Sequence, residues 1–175
     1  MTTAPTNVKP RTNAWLRLAK RVCFVSLGTY LGILVVLLLL ENWMLYRPAT
    51  AAQDWLPPPS SDVRDVDLTS ADGTRIHAWW YPHPQAKGAV LYLHGNAGNL
   101  SHRGGSVAKL REQFGESVLI IDYPGYGKSE GKPSEKGCYA AAEAAYAWLT
   151  KEQKIDPEQI ILYGGSLGEI GRAHV

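Results

Sequence analysis

Cysteine is scarce. The chain carries two, Cys23 inside an apolar run and Cys138 in a predicted helix, so a disulfide framework is excluded and the redox compartment stays open. Acidic residues are missing from the first 21 positions, where Lys9, Arg11, Arg17, Lys20 and Arg21 gather the positive excess of a chain whose formal net charge is only +2. That excess belongs to the N-terminus and builds no basic face elsewhere, which argues against nucleic acid as a partner. Charge of either sign is absent from Val22 to Leu40. This segment has no polar face to turn to water, as a helix packed on a soluble core would need. No internal repeat is present either. What remains, with 45% hydrophobic residues in a chain of 175, is the composition of one modest globular domain plus an anchor.

The uncharged run ends in Val35-Val36-Leu37-Leu38-Leu39-Leu40 and is long enough to cross a hydrocarbon core of about 30 Å as a helix. Five basic residues before it, against Arg47 shortly after it, place the N-terminus in the cytoplasm and the rest of the chain on the non-cytoplasmic side. Trp43 and Tyr46 suit the interfacial aromatic belt. A cleaved signal peptide is the competing reading; its apolar region is usually about 7 to 15 residues, shorter than this one, although Ala49-Thr50-Ala51 offers a distant small-x-small site. The expected organisation is a basic, disordered lead over 1–21, a transmembrane helix over 22–40 and an interfacial, Pro-rich linker over 41–62. A folded domain then starts at 63.

In that domain Arg64-Asp65-Val66-Asp67-Leu68-Thr69 alternates, Asp72-Gly73 supplies a turn, and Thr74 to Tyr81 alternates again, which predicts a β-hairpin. Ala89-Val90-Leu91-Tyr92-Leu93 and Val118-Leu119-Ile120-Ile121 are continuous apolar runs, as expected of strands buried on both faces of a parallel sheet. Val107, Leu110 and Phe114 recur at helical spacing between them, and an alanine-rich helix is predicted from about Glu135 to Lys151. A last strand covers 160–163. Strand, helix, strand, helix, strand specifies an α/β fold with right-handed crossovers.

Three loops follow strands at the edge where open α/β sheets bind ligands. Tyr163-Gly164-Gly165-Ser166-Leu167-Gly168 has a serine with glycine two residues to either side, as a sharp strand-to-helix turn that presents a nucleophile requires. His94-Gly95-Asn96-Ala97-Gly98-Asn99 has glycines that leave backbone N–H groups free to face an anion, which suits an oxyanion hole. Asp122-Tyr123-Pro124-Gly125-Tyr126-Gly127-Lys128-Ser129-Glu130-Gly131 ends like a phosphate-binding P-loop. Its leading glycine is replaced by Asp122, however, and an acid there would repel phosphate.

In this order and spacing the three loops resemble the α/β-hydrolase superfamily, most closely its membrane-anchored serine hydrolases with an H-G-N-A-G-N loop. The resemblance covers about Arg64 to Gly168. It implies the N-terminal part of an α/β-hydrolase fold, a hairpin followed by parallel strands with crossover helices, preceded by a transmembrane helix. It also implies Ser166 as nucleophile, the N–H groups of Asn96 and Leu167 as oxyanion hole, and His94, Gly95, Gly164 and Gly168 as loop-shaping support. The substrate would be a small-molecule or lipid acyl compound, met at a membrane, with no metal and no cofactor; oligomeric state is not specified. The blander reading of Ser166 is an ordinary turn serine; His94 is tempting as a base, but the resemblance makes it a loop-shaping residue. Asp122 and Ser129 would hold their loop through side-chain to backbone bonds, and His77, His83 and His102 would be surface or hairpin residues. Asn99-Leu100-Ser101 fits a glycosylation sequon.

A serine hydroxyl needs a histidine and an orienting carboxylate, which in this superfamily follow the serine. Glu169 and His174 supply both residue types, but His174 would lie eight residues past Ser166, roughly 12 Å along a helix and beyond proton-transfer reach of about 3 Å. The tail itself looks foreign. Glu-Ile-Gly-Arg-Ala-His-Val is encoded by GAG ATC GGA AGA GCA CAC GTC, which contains the sequencing-library adapter AGATCGGAAGAGCACACGTC. The expectation is a partial domain over 63–168 and a non-native tail over 169–175, with acid and histidine on a longer parent chain. A fragment of this kind would be inactive and would leave Ile160-Ile161-Leu162 as an exposed apolar edge. The alternative is a non-catalytic membrane-anchored α/β module.

Overall fold

The computed structural model describes residues 14–174. Its first element, α1 (Ala14–Leu45), is the one helix among the described residues long and apolar enough to cross a membrane. It is longer than the uncharged run. Residues 14–21, expected within a disordered lead, are helical, because alanine, leucine, lysine and arginine are good helix formers and no glycine or proline interrupts them. Residues 1–13 of that lead lie outside the described residues. The helix stops shortly before Pro48, which has no N–H to extend the ladder.

The chain divides after Glu41 into two compact units. In the second, the elements are β1 (Arg47–Pro48), β2 (Arg64–Thr69), β3 (Arg75–Tyr81), β4 (Ala89–Leu93), β5 (Ala97–Gly98), α2 (Gly104–Phe114), β6 (Ser117–Ile121), α3 (Glu135–Ala147), β7 (Ile160–Gly164) and α4 (Leu167–His174). Five strands form a mixed sheet in the order β2-β3-β6-β4-β7. β2 and β3 are the expected hairpin, its turn made by Gly73 at φ 83°. β3 also runs antiparallel to β6, while β6, β4 and β7 run parallel.

Burial explains the composition of the central strands. β6 is buried throughout and β4 nearly so, which is why neither alternates. On one face Leu91, Leu93, Leu119 and Ile121 meet Cys138, Ala141, Ala142 and Ala145 of α3, whose small side chains let the helix lie close. On the other, Val90, Val118 and Ile120 join Trp79 and Tyr81 beneath Leu100, in the 3-10 turn before α2, and Val107 of α2. The helix predicted over 135–151 is α-helical through Ala147 and closes in a wider π-type turn over Trp148–Glu152. β7 is an outer strand, with Ile161 and Tyr163 41% and 43% exposed. α4 continues through 169–174, the residues expected as a foreign tail, and Val175 lies outside the described residues.

The stretch expected as a linker is laid in part on this second unit. Tyr46 is buried, β1 pairs in parallel with β5, Ala51 N–H donates to the Gly127 carbonyl at 2.8 Å, and Leu56 N–H donates to Ser101 Oγ at 3.1 Å. Trp55 packs edge-on against Trp79 with ring centroids 5.4 Å apart. An extended, proline-bearing segment cannot satisfy its own backbone, and here the loops at the sheet edge take its donors.

Candidate active site

Ser166 occupies the turn between β7 and α4 with φ 55°, in the left-handed region. For a residue with a Cβ this conformation costs on the order of 1–3 kcal/mol and persists only where the surroundings impose it. The surroundings here leave no room. A methyl group on Gly164 would lie 2.5 Å from the Gly168 carbonyl oxygen, and one on Gly168 would lie 1.9 Å from the Leu93 carbonyl oxygen. Strand, turn and helix therefore close this sharply only with glycine at both positions. Ser166 is exposed while Leu167 and Gly168 are buried.

β4 and β7 are neighbouring parallel strands with Leu93 opposite Gly164, so the loops after them leave the sheet side by side at its C-terminal edge. A methyl group on Gly95 would stand 3.7 Å from Ser166 Cβ and 3.5 Å from the Gly165 carbonyl oxygen. The His94–Gly98 loop and the turn at Ser166 are thus in van der Waals reach of one another. Leu167 N–H opens α4, where no intrahelical carbonyl reaches it. The backbone N–H of Asn96 is not taken by any acceptor among the described residues. Its carbonyl accepts from Arg47 N–H at 3.0 Å and from the Tyr126 hydroxyl at 2.9 Å, and its Nδ2 donates to the Leu45 carbonyl at 2.8 Å.

His94 is buried, and both ring nitrogens face protein groups. Nδ1–H donates to the Gly95 carbonyl at 2.7 Å, while Nε2 lies 3.5 Å from Asp122 Oδ1. Its own carbonyl accepts from the Tyr123 hydroxyl at 2.9 Å. Burial pushes the Tyr123 and Tyr126 hydroxyls up, so both remain protonated donors to this loop. Asp122 is fully buried at the end of β6 and accepts from Leu100 N–H at 2.8 Å; its backbone carbonyl accepts from the Ser129 hydroxyl at 2.8 Å. Burial by itself would raise the Asp122 carboxyl. The neighbouring His77 and His94 imidazoles and the hydrogen bond from Leu100 N–H outweigh it and hold the group below the usual carboxylate range.

His77, read from sequence as a surface or hairpin residue, is buried. Its Nε2 lies 2.5 Å from Asp65 Oδ1 and its Nδ1 3.7 Å from Asp122 Oδ2. The signal was available in β3, where His77 shares its face with Trp79 and Tyr81 two and four residues on. The third loop is not arranged for phosphate. Lys128 Nζ sits 4.5 Å from the Trp55 ring centre and 3.3 Å from Asp65 Oδ1, and a methyl group on Gly127 would lie 1.9 Å from Asp122 Oδ2. Leu45 and Arg47, which help hold Asn96, carry no motif of their own; only the fold brings them to it.

This architecture is the α/β-hydrolase fold: a mixed sheet with helices on both faces, a serine at a strained strand-to-helix turn and a glycine-bearing loop beside it. Residues 88–168 match the family model described as alpha/beta hydrolase fold. Among curated proteins the chain is 37% identical over 142 residues to an uncharacterized protein of Mycobacterium tuberculosis, covering 78% of this chain and 49% of that protein. It is 39% identical over 106 residues to the alpha/beta hydrolase domain-containing protein WAV2 of Arabidopsis thaliana, covering 59% of this chain and 34% of that one. Among solved structures it superposes on the esterase Pf2001 of Pyrococcus furiosus with a TM-score of 0.60 at 25% identity, over 71% of this chain and 50% of the esterase. The chain therefore spans about half the length of the first of these relatives, 49%.

Proposed function

We propose that the protein is a membrane-anchored serine hydrolase that transfers the acyl group of an ester, thioester or amide to water through an acyl-enzyme at Ser166. The observation that carries this reading is the contact between two loops: Ser166, exposed at φ 55°, lies against Gly95 of the loop that holds Asn96. In the proposed step Ser166 Oγ attacks the acyl carbonyl carbon, its proton passes to a histidine, and the carbonyl oxygen takes up negative charge facing the N–H groups of Asn96 and Leu167. One such donor is worth roughly 3–4 kcal/mol of transition-state stabilisation. His94, Gly95, Gly164 and Gly168 support this geometry.

The histidine and its orienting acid belong, in this reading, to a longer parent chain, with 63–168 as a partial domain and 169–175 as a non-native tail. The anchor is the segment 22–40, with 1–21 cytoplasmic and the hydrolase domain on the other side. The substrate is an acyl compound, either a small molecule or a lipid.

A fluorophosphonate probe on the full-length parent tests the chemistry. Labelling at Ser166 that is lost in Ser166→Ala is the expected result, and a protein that stays unlabelled is a scaffold. Resequencing the source locus across the Gly168 codon tests the tail, and an authentic stop after Val175 refutes it. Protease protection of a C-terminal tag in sealed vesicles tests orientation, and digestion from the cytoplasmic side refutes it.

A further inference from the structure

We propose that Leu45 to Arg47, the last residue of α1 and the two after it, position the oxyanion donor at Asn96, so that the segment following the anchor is a working part of the acyl-transfer site and not only a tether. This rests on the role given to Asn96 N–H above. All described peptide bonds are trans, so within one peptide plane the C=O and the N–H point in opposite directions. The plane that contains Asn96 N–H also contains the Gly95 carbonyl. That carbonyl is held by His94 Nδ1–H at 2.7 Å, which aims the N–H the other way.

One fixed plane between flexible neighbours does not hold a donor still. Gly95 precedes Asn96, and Gly98 close behind it adopts φ 78°. The next plane must be fixed as well, and it is fixed by Leu45 and Arg47. The Asn96 carbonyl accepts from Arg47 N–H at 3.0 Å, supplemented by the Tyr126 hydroxyl at 2.9 Å, and the side-chain Nδ2 donates to the Leu45 carbonyl at 2.8 Å. That carbonyl is one of the last in α1, which no intrahelical N–H can satisfy. Each partner thus supplies what the other lacks: Asn96 caps the helix end, and the helix end fixes both the side chain and the carbonyl of Asn96. β1 and β5 extend the clamp, with Arg47 opposite Ala97, Pro48 opposite Gly98, and Ala49 N–H donating to the Gly98 carbonyl at 3.1 Å.

Complete loss of an oxyanion donor lowers turnover about 10²- to 10³-fold. Asn96→Ala keeps the backbone N–H and removes only its bond to Leu45, so a partial loss of about 10-fold is expected. On the full-length parent with a p-nitrophenyl ester, kcat should fall by that factor with KM within about twofold. Affinity for an alkyl boronic acid, which mimics the tetrahedral state, should fall in parallel with kcat. Should Asn96→Ala not fold, Asn96→Ser removes the same amide and carries the same expectation.

A kcat within twofold of wild type, or a loss confined to KM with boronate affinity kept, overturns the proposal. If the wild-type parent is not labelled at Ser166, the hydrolase reading fails and hydrogen exchange judges the clamp. Asn96→Ala should then speed exchange at 95–98 about tenfold with 118–121 unchanged, and unchanged exchange at 95–98 overturns it.

Discussion

The substitution Gly168→Ala separates local preference from tertiary fit, because the two predict opposite signs. Gly168 is the second residue of α4, and in a helix alanine is favoured over glycine by about 1 kcal/mol. Against that, the new methyl group would stand 1.9 Å from the Leu93 carbonyl oxygen, a backbone atom of a central strand that cannot rotate away. The helix would have to retreat by at least about 1.5 Å to reach an ordinary contact. Overpacking of this kind costs about 1–3 kcal/mol, so after the helix preference is subtracted the net expectation is a loss of up to about 2 kcal/mol. The same retreat carries Leu167 N–H and the Ser166 turn with it, and a misplacement of about 1 Å costs on the order of 10²-fold in rate.

Urea denaturation of the full-length parent, followed by tryptophan fluorescence, reads the first number, and the rate of fluorophosphonate labelling reads the second. Gly165→Ala is the internal control. A methyl group there meets nothing within 4 Å, so stability should change by less than about 0.5 kcal/mol or rise slightly. A Gly168→Ala protein as stable as wild type, with undiminished labelling, would show that α4 does not rest on the end of β4 and would remove the basis for the turn described here.

Three further outcomes follow from the same contacts. The Asp122 carboxyl is held below its ordinary value, so its contribution to stability is present above the usual carboxylate pKa of about 4 and is lost as pH falls through the lower folded value; Asp122→Asn should flatten that acid limb and cost roughly 3 kcal/mol at neutral pH, both read from urea midpoints across pH. Burial, with a smaller effect from Glu135, pushes the Cys138 thiol up to about 12, so in a Cys23→Ser background a maleimide at pH 8 should modify Cys138 only after denaturation. Ser134 Oγ accepts from Gly137 N–H at 3.1 Å and caps α3; Ser134→Ala should cost about 1 kcal/mol and Ser134→Asp should retain most of it, again by urea denaturation.

Elements were legible in the sequence where one period governed a whole segment. β2 alternates because only one of its faces meets the core, whereas β3, although its sequence reads as alternating, is buried on both faces from Ile76 to Tyr81; β4 and β6 are uniformly apolar because both their faces are covered. The turn at Ser166 was legible because glycine is the only residue that tolerates a carbonyl at 1.9 to 2.5 Å from a Cβ position, and such necessity leaves a mark in the chain. Contacts between distant segments leave no such mark. Nothing in Asn42 to Trp55 distinguishes a spacer from a segment whose amides are claimed by loops some 50 to 80 residues away, and the composition of 41–62 pointed to a spacer. His77 illustrates the intermediate case. β3 is buried on both faces, His77 lies on the one it shares with Trp79 and Tyr81, and only the presence of Asp65 and Asp122 makes an imidazole acceptable there.

The packing of residues 46 to 56 changes where a water-soluble version of this protein should be cut. A boundary at 63, chosen by composition, would strip Tyr46 and Trp55 from the apolar ground they cover. It would also leave Asn99 Nδ2, which now gives one hydrogen to the Ala49 carbonyl at 3.1 Å and the other to that of Asp54 at 2.7 Å, with two donors and nowhere to spend them. A cut at 42 retains every one of these partners, and the two truncations should differ in yield and melting temperature accordingly.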